Sequence, residues 1–267
     1  MAEVQFTIDR VTGEFISGDP FTKVSWTTGL DPKTGRPTIN PAANYATAPV
    51  LVAPSGFGGH NWSPMTFSPI TGLVYLPASL GSTFSFAAVE KFQFTPGVMN
   101  LGLNMGRRGA PPPAPAPGGA GAAAPPAEPP ALETIGPEGI GPHLIAWDPI
   151  ARKERWRRPG GGAGNSGAVA TAGGLVFQTL TDGRLVAYTA DTGDLKFDRQ
   201  VGGRGTAPPM TYAAGGKQYV AIITANPPRV QSFVLDGNAP APPVPGPPSA
   251  PAGPAAPAGG RGAAGAP

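Results

Sequence analysis

A pattern repeated at an interval of 41 residues constrains this chain more than any other feature. The first copy runs Ala146-Trp147-Asp148-Pro149 and onward to Trp156, and the second runs Ala187-Tyr188-Thr189-Ala190 and onward to Phe197. In each copy an Ala-aromatic pair ends a strand, a tight turn follows, and an aromatic residue appears ten residues on. A period of about 40–45 residues is that of one four-stranded β-propeller blade. Between the copies, Gly174–Thr179 and Gly183–Tyr188 read as strands joined at Thr181-Asp182-Gly183. Short apolar or alternating runs bounded by Gly and Pro turns carry the same pattern elsewhere. Val4–Ile8 and Phe15–Ser17 flank the turn Asp9-Arg10-Val11-Thr12-Gly13-Glu14, and a second Thr-Gly turn lies at Asp31–Gly35. Met65–Ser68 and Leu73–Pro77 flank Pro69–Gly72, Met210–Tyr212 and Gln218–Ile223 flank Gly215-Gly216, and Gln231–Leu235 closes the ordered part. No segment holds a 3.6-residue period with caps, so helix is expected to be scarce. Gly18–Ser55 reads as irregular and Ser79–Met105 as a long surface excursion.

Composition decides how much of the 267-residue chain can join such a fold. Gly 40 and Pro 37 exceed a quarter of the residues, and they concentrate in Gly106–Ala131 and Ala239–Pro267. Neither stretch has the large apolar side chains that would offset ordering entropy, so both are expected to be disordered, with order resuming at Gly141. About 210 residues remain, enough for four to five blades. The expected organisation is therefore an all-β partial propeller over residues 1–238, interrupted by the insert 106–131, with a tail at 239–267.

Several function classes lack support. The net charge is only +3, and no basic stripe interleaves with aromatics, so a nucleic-acid partner is not expected. The densest basic run, Arg152–Arg158, reads as a solvated strand and turn. Cysteine is absent, which removes disulfides, thiolate metal sites, a Cys nucleophile and a Cys-x-x-Cys-His haem attachment. There is no Gly-x-Ser-x-Gly, and His60 and His143 have no evident nucleophile partner for a hydrolase. No run is long and apolar enough to span a bilayer, and MAEVQFTIDR has no signal-peptide pattern. The chain starts almost inside a strand, a first hint that something upstream is missing.

The hairpin Gly58–Ala78 is the stretch on which function is expected to centre. Its loop end carries His60, Asn61 and Trp62, and loops at strand ends are where β proteins meet ligands. Asn is also a common turn residue, so a loop-capping role for Asn61 stays open beside a ligand-binding one. Loop packing is the expected role of His60 and Trp62. Asp9, Asp148, Asp182 and Asp191 all fall in turns, where Asp serves the backbone, and none is expected to be a catalytic base.

The chain resembles the C-terminal part of the PQQ-dependent (quinoprotein) alcohol dehydrogenases. The resemblance is carried by Ile8-Asp9-Arg10-Val11-Thr12-Gly13-Glu14, Gly59-His60-Asn61-Trp62-Ser63-Pro64-Met65 and Leu144-Ile145-Ala146-Trp147-Asp148-Pro149. It continues through Ala170–Phe177, Thr181-Asp182-Gly183-Arg184-Leu185, Ala207–Tyr212 and Gly216-Lys217-Gln218-Tyr219-Val220. The family implies an eight-bladed propeller holding pyrroloquinoline quinone (PQQ) and calcium near its axis, and a periplasmic location. It also implies oxidation of an alcohol or sugar hydroxyl, in which a base takes the hydroxyl proton while hydride passes to the quinone. Asn61 matches a loop asparagine beside the quinone and substrate, and Asn165 matches a position where a loop reaches the cofactor. The surroundings of Asn165, Gly164 and Ser166, depart from the family's Trp-Asn-Gly-Gly or Trp-Gly-Gly pattern. The family's catalytic aspartate, calcium-binding carboxylate, quinone-side Arg or Lys and stacking tryptophan belong to a region upstream of the matched one. The expected partner is thus an N-terminal propeller complement, or a second copy joined through open blade edges, with a small alcohol as substrate. The alternative is a propeller scaffold that has lost the enzyme activity.

Overall fold

Three strands of this chain are apolar at consecutive positions because sheets pack against both of their faces. The computed structural model describes residues 3–89, 91–107, 126–133, 135–162 and 166–234. β1 (Val4–Ile8) pairs antiparallel with β2 (Phe15–Pro20), and β3 (Thr27–Leu30) with β4 (Pro37–Ile39). After β5 (Val50–Val52), the hairpin of β6 (Thr66–Ser68) and β7 (Leu73–Leu80) begins the first four-stranded sheet. The chain then departs through β8 (Phe84–Ala88) and β9 (Leu103–Arg107). It returns as β10 (Gly141–Asp148) and β11 (Lys153–Pro159), which complete the sheet in the order β6-β7-β10-β11. β12 (Ala168–Ala170), β13 (Leu175–Thr179), β14 (Arg184–Thr189) and β15 (Leu195–Gln200) form the second as a plain meander. The third contains β16 (Arg204–Gly205), β17 (Met210–Ala214), β18 (Lys217–Ala225) and β19 (Arg229–Val234). There β16 and β17 pair with opposite ends of β18 while β19 runs along the middle of the same strand. The register therefore puts β16 and β17 on one edge of β18 and β19 on the other.

The sheets stack face to face, and side-chain alternation assigns each residue to an interface. Leu73 and Tyr75 of β7 join Leu144 and Ala146 of β10 in a core shared with Val176, Val186 and Tyr188 of the second sheet. The alternate residues Leu76, Ala78, Leu80, Ile145 and Trp147 bury the opposite face of the first sheet against Phe21. Leu185 and Phe177 turn the other way and meet Ile222 and Phe233 of the third sheet. With both faces buried, β7, β10 and β14 lose the polar alternation of a solvated strand.

One contact locks the repeat into place. Trp156, at the end of the first copy, lies between the rings of Tyr75 and Tyr188, at centroid distances of 5.7 and 6.2 Å. Its Nε1–H donates to the carbonyl of Ala190 at 3.1 Å, and the Tyr75 hydroxyl donates to the same oxygen at 2.8 Å. The next sheet's turn thus docks on the tryptophan of the sheet before it. Gly193 in that turn has φ +72°, and a Cβ there would sit 2.7 Å from the indole. Phe197, the second copy's equivalent of Trp156, is 36% exposed.

The all-β, antiparallel propeller architecture expected from the repeat is present. Among the described residues it has three four-stranded sheets, one three-stranded sheet and two hairpin pairs, and its only helical segments are short 3-10 turns at Pro41–Ala43 and Pro137–Gly139.

Two sequence expectations need correction. Ser79–Met105 is no loose excursion, because β8 and β9 add to β5 as a three-stranded sheet. Order also reaches into the insert from both ends. β9 takes in Gly106 and Arg107, and residues 126–133 run along the body. There the Leu51 N–H donates to the Ala127 carbonyl at 2.7 Å, the Leu132 N–H donates to the Val24 carbonyl at 2.8 Å, and Lys23 pairs with Glu128. A Pro-rich segment has few N–H donors and little to bury, but its carbonyls can still serve an open strand edge. The rest of the insert, residues 108–125, and the tail expectation at 239–267 lie outside the described residues.

The basic run is also more ordered than a solvated face. Arg152 chelates Asp19 through Nε and Nη2, Arg155 pairs with Asp148, and Arg157 pairs with Glu154. Arg158 Nε donates to the Gly193 carbonyl at 2.6 Å. Arg152 has φ +55°, in a turn position where the matching turns at Asp9 and Asp31 carry Gly13 and Gly35.

Candidate functional site

The first strands of consecutive sheets lie against each other, which gathers the loops that enter them at one end of the stack. The Ala168 N–H donates to the Pro64 carbonyl at 3.0 Å, and the Ala170 N–H donates to Thr66 Oγ1 at 3.2 Å. Residues 55–64, 160–162 and 166–167 therefore converge, and Gly205 packs on Thr179, which is bonded to Ser166 at the same end. Glycine makes the approach possible. A Cβ on Gly167 would come within 2.6–2.8 Å of Pro64, and one on Gly161 within 2.8 Å of the Leu144 nitrogen.

The convergence is tied by buried polar groups. His60 is buried, and its Nδ1 lies 2.7 Å from the Pro77 carbonyl oxygen. A carbonyl only accepts, so Nδ1 carries the proton and the neutral ring is the Nδ1–H tautomer. Burial pushes the His60 pKa down, and the bond to Pro77 opposes that shift in part. Gln178 is fully buried, and its Nε2 donates to the carbonyls of Gly161 and Ser166 at 2.9 and 3.0 Å. Ser166 Oγ donates to the Thr179 carbonyl at 2.9 Å and accepts from the Thr179 N–H at 3.0 Å. Gln178 Oε1, Thr179 Oγ1 and Thr224 Oγ1 are buried without a partner at this end of the second and third sheets.

The site residues expected from sequence fall as follows. Asn61 stands on the rim, exposed, with Nδ2 donating to the Phe57 carbonyl at 3.3 Å. That weak, solvent-facing bond caps the loop and leaves the amide free to turn to another acceptor. Trp62 is 58% exposed beside it. Asn165 lies outside the described residues; the described residues on either side of that gap, Gly162 and Ser166, are buried. His143 is buried with Nδ1 3.1 Å from the Gly141 carbonyl, a structural placement. Asp9 and Asp148 accept backbone N–H bonds within their own turns, Asp182 accepts from the Arg184 N–H, and Asp191 from the Thr192 N–H. Sequence reasoning missed Gln178, Ser166 and Thr179. The available signal was the polar pair Gln178-Thr179 inside the apolar run Leu175–Leu180.

A quinone–metal pair finds few of its partners here. Among the described residues no three His, Cys, Asp or Glu side chains come together as a metal site. Among the described residues of the converging segments and next to Gly205, the exposed side chains with polar groups are Asn61, Trp62 and Arg204. A divalent cation needs several oxygen ligands at once. The described residues therefore do not fit calcium, and they offer PQQ contacts on one side at most.

The chain is similar over most of its length to about a third of each of several known proteins. Residues 144–220 match the glucose/ethanol/alcohol dehydrogenase beta-propeller domain family. The dehydrogenase subunit of an alcohol dehydrogenase (quinone) from Gluconacetobacter polyoxogenes is 36% identical over 256 residues, covering 88% of this chain and 32% of that protein. The quinohemoprotein alcohol dehydrogenase of Comamonas testosteroni is 35% identical, over 89% of this chain and 33% of the relative. The crystal structure from that organism superposes with a TM-score of 0.73 at 31% identity, over 91% of this chain and 36% of that one. A europium-containing methanol dehydrogenase superposes with a TM-score of 0.65 at 25% identity, over 83% of this chain and 35% of the other.

Proposed function

From its kinship with the PQQ-dependent alcohol dehydrogenases, about a third of whose length it spans, we propose that this chain supplies blades of a quinoprotein dehydrogenase propeller and oxidises alcohols only when the ring is completed. One observation carries the reading. The strand set is open at both ends, since β1 has β2 as its only described partner strand and β19 has only β18. Open strand edges are templates for further pairing. The missing partner is the N-terminal part of the same propeller or, failing that, a second copy of this chain. If held in the completed ring, PQQ would supply the hydride-accepting chemistry. This chain contributes the Asn61 rim and the sheets that exclude water behind it. The setting is periplasmic, as is typical of bacterial PQQ dehydrogenases; among the described residues no helix is long and apolar enough to cross a membrane.

The test is a dye-linked ethanol oxidation assay with added PQQ and calcium, run on this chain alone, on a separately produced N-terminal propeller complement, and on the two together. Activity only in the mixture supports the reading. Inactivity of the mixture, despite a complex seen in size-exclusion chromatography, favours a propeller scaffold without enzyme activity.

A further inference from the structure

Glu3 is buried, with Oε1 accepting from the Trp26 Nε1–H at 2.6 Å, and its other oxygen is sealed from solvent, so it offers a ligand nothing. The exposed surface offers more. β8 and β9 pair from Phe84↔Arg107 to Ala88↔Leu103, whereas β5 accompanies β8 only from Phe84 to Phe86. The β8–β9 hairpin therefore overhangs its own sheet by Ala87, Ala88 and the loop that follows. Among the described residues, the last backbone bond that ties it to the body runs from the Ala88 N–H to the Tyr45 carbonyl at 3.3 Å. The Val89 N–H then donates across the hairpin to the Gly102 carbonyl at 3.3 Å and closes the ladder.

Beyond that point the tip carries Phe92, Phe94, Val98, Met99 and Leu101, each between 47% and 80% exposed. Residues 91–99 are exposed without a break, so the tip turns no face to the body. Clustered exposed apolar side chains mark a surface that meets something other than water. The tip is not a slack loop either. Asn100 Oδ1 accepts from the Thr95 N–H at 2.8 Å, and Asn100 Nδ2 donates to the carbonyls of Thr95 and Val98 at 2.8 and 2.7 Å. Pro96 has no N–H to satisfy, and Gly97 takes the left-handed backbone that the turn requires, at φ +79°. The turn thus meets its own polar demands while its apolar side chains point to solvent.

Three features decide what covers such a tip. Its large apolar side chains stand on both arms of the turn, either side of Pro96-Gly97. A flat protein face would cover one side of it, whereas hydrocarbon surrounds it. Backbone groups that enter hydrocarbon must be satisfied internally, and Asn100 does this at the turn. From Glu90 to Ala127 the sequence has a single acidic residue, Glu90, against the basic Lys91, Arg107 and Arg108, and a basic surplus is drawn to anionic headgroups. We propose that the tip, residues 91–101, inserts into the surface of a bilayer containing anionic lipid and holds the chain peripherally on the membrane. Phe92, Phe94 and Met99 enter the headgroup–acyl boundary, which such elements reach to a depth of about 5–10 Å. The contact rests on the tip alone and is independent of the quinone reading.

The experiment sediments the full chain with vesicles of phosphatidylcholine alone and with vesicles in which about a third of the lipid is phosphatidylglycerol. The expected result is saturable binding to the mixed vesicles and weaker binding to the neutral ones. Binding to the mixed vesicles should fall tenfold or more in the triple variant Phe92→Ser, Phe94→Ser, Met99→Ser, whose melting temperature should match wild type because the three side chains are exposed. Should the triple variant fail to fold, Phe94→Trp provides a second readout. Its fluorescence must be quenched by lipid brominated on the acyl chain beyond any quenching of the wild-type tryptophans. Equal vesicle binding by wild type and a folded triple variant overturns the proposal, as do absence of binding to the mixed vesicles, indifference to the anionic lipid, and no added quenching in Phe94→Trp. If the triple substitution abolishes self-association in sedimentation velocity while wild type ignores vesicles, the tip is a protein interface and the proposal falls. Loss of vesicle binding once an N-terminal propeller complement is bound overturns it too, because the tip would then be covered within the ring.

Discussion

Replacing Gly193 by alanine tests the interlock that joins the first two sheets, and Gly174→Ala isolates the part of the effect that is due to contact. Both glycines have left-handed backbones, at φ +72° and +76°. A Cβ at Gly174 would meet nothing within 4 Å, whereas one at Gly193 would lie 2.7 and 2.8 Å from Cδ2 and Cε3 of Trp156. Carbon atoms pack at about 3.5–4.0 Å, so the indole would have to retreat by nearly an ångström. It has little room to do so, because Tyr75 and Tyr188 flank it and its Nε1 is bonded to Ala190. The left-handed conformation costs alanine about 1 kcal/mol at either site. Overpacking adds about 1–3 kcal/mol at Gly193 alone. The expected losses are thus about 1 kcal/mol for Gly174→Ala and about 2–4 kcal/mol for Gly193→Ala. In a domain of this size that corresponds to about 2–4 °C against about 4–16 °C in Tm. Thermal unfolding followed by circular dichroism measures both. Equal shifts for the two variants would show that the Trp156 contact contributes nothing, and the interlock argument would fall.

Three further outcomes follow from the same structure. Asp19→Asn should lower Tm in the wild-type chain but leave it unchanged in an Arg152→Gly background, because Asp19 serves to hold Arg152 in its left-handed turn; a double-mutant cycle by thermal melts checks this. For His60, the folded-state pKa lies below the unfolded value of about 6.5, so the unfolded chain binds the proton more readily and stability is lost as pH falls below that value. His60→Asn, which keeps a donor for Pro77, should flatten urea-unfolding stability between pH 7 and pH 5 relative to wild type. Asn61→Ala should change stability by less than about 0.5 kcal/mol, since its bond to Phe57 is exposed. It should reduce turnover of a completed enzyme at least tenfold if the amide donates at the reacting centre, as removal of such donors does.

Much of the fold was legible because its signals are local. The Asp-x-x-Thr-Gly turns, the Gly215-Gly216 hairpin and the 41-residue spacing each fix a strand pair without reference to distant residues. What the sequence hid is non-local. β7 finds its next strand, β10, only after an interval of some sixty residues, so the first sheet's repeat is broken in the chain and whole in space. β8 is held by pairing to β5, β9 by pairing to β8, and the stretch 126–133 by backbone bonds to Leu51 and Val24, none of which composition registers. The site was less legible. Asn61 is where its loop put it, but Gln178 is read correctly only once Gly161 and Ser166 are known to offer their carbonyls. Nothing in the sequence sets Glu3 apart from any charged residue at a strand start, and its bond to Trp26 spans twenty-three residues.

The central claim is that these blades hold the frame of a quinone site without its grip. It is tested most directly by titrating the purified chain with PQQ in the presence of calcium and following the cofactor's absorbance and the protein's tryptophan fluorescence. The account predicts no saturable one-to-one binding at micromolar PQQ by the chain alone, and saturable binding once an N-terminal complement is added. Tight, stoichiometric PQQ binding by this chain in isolation would contradict it.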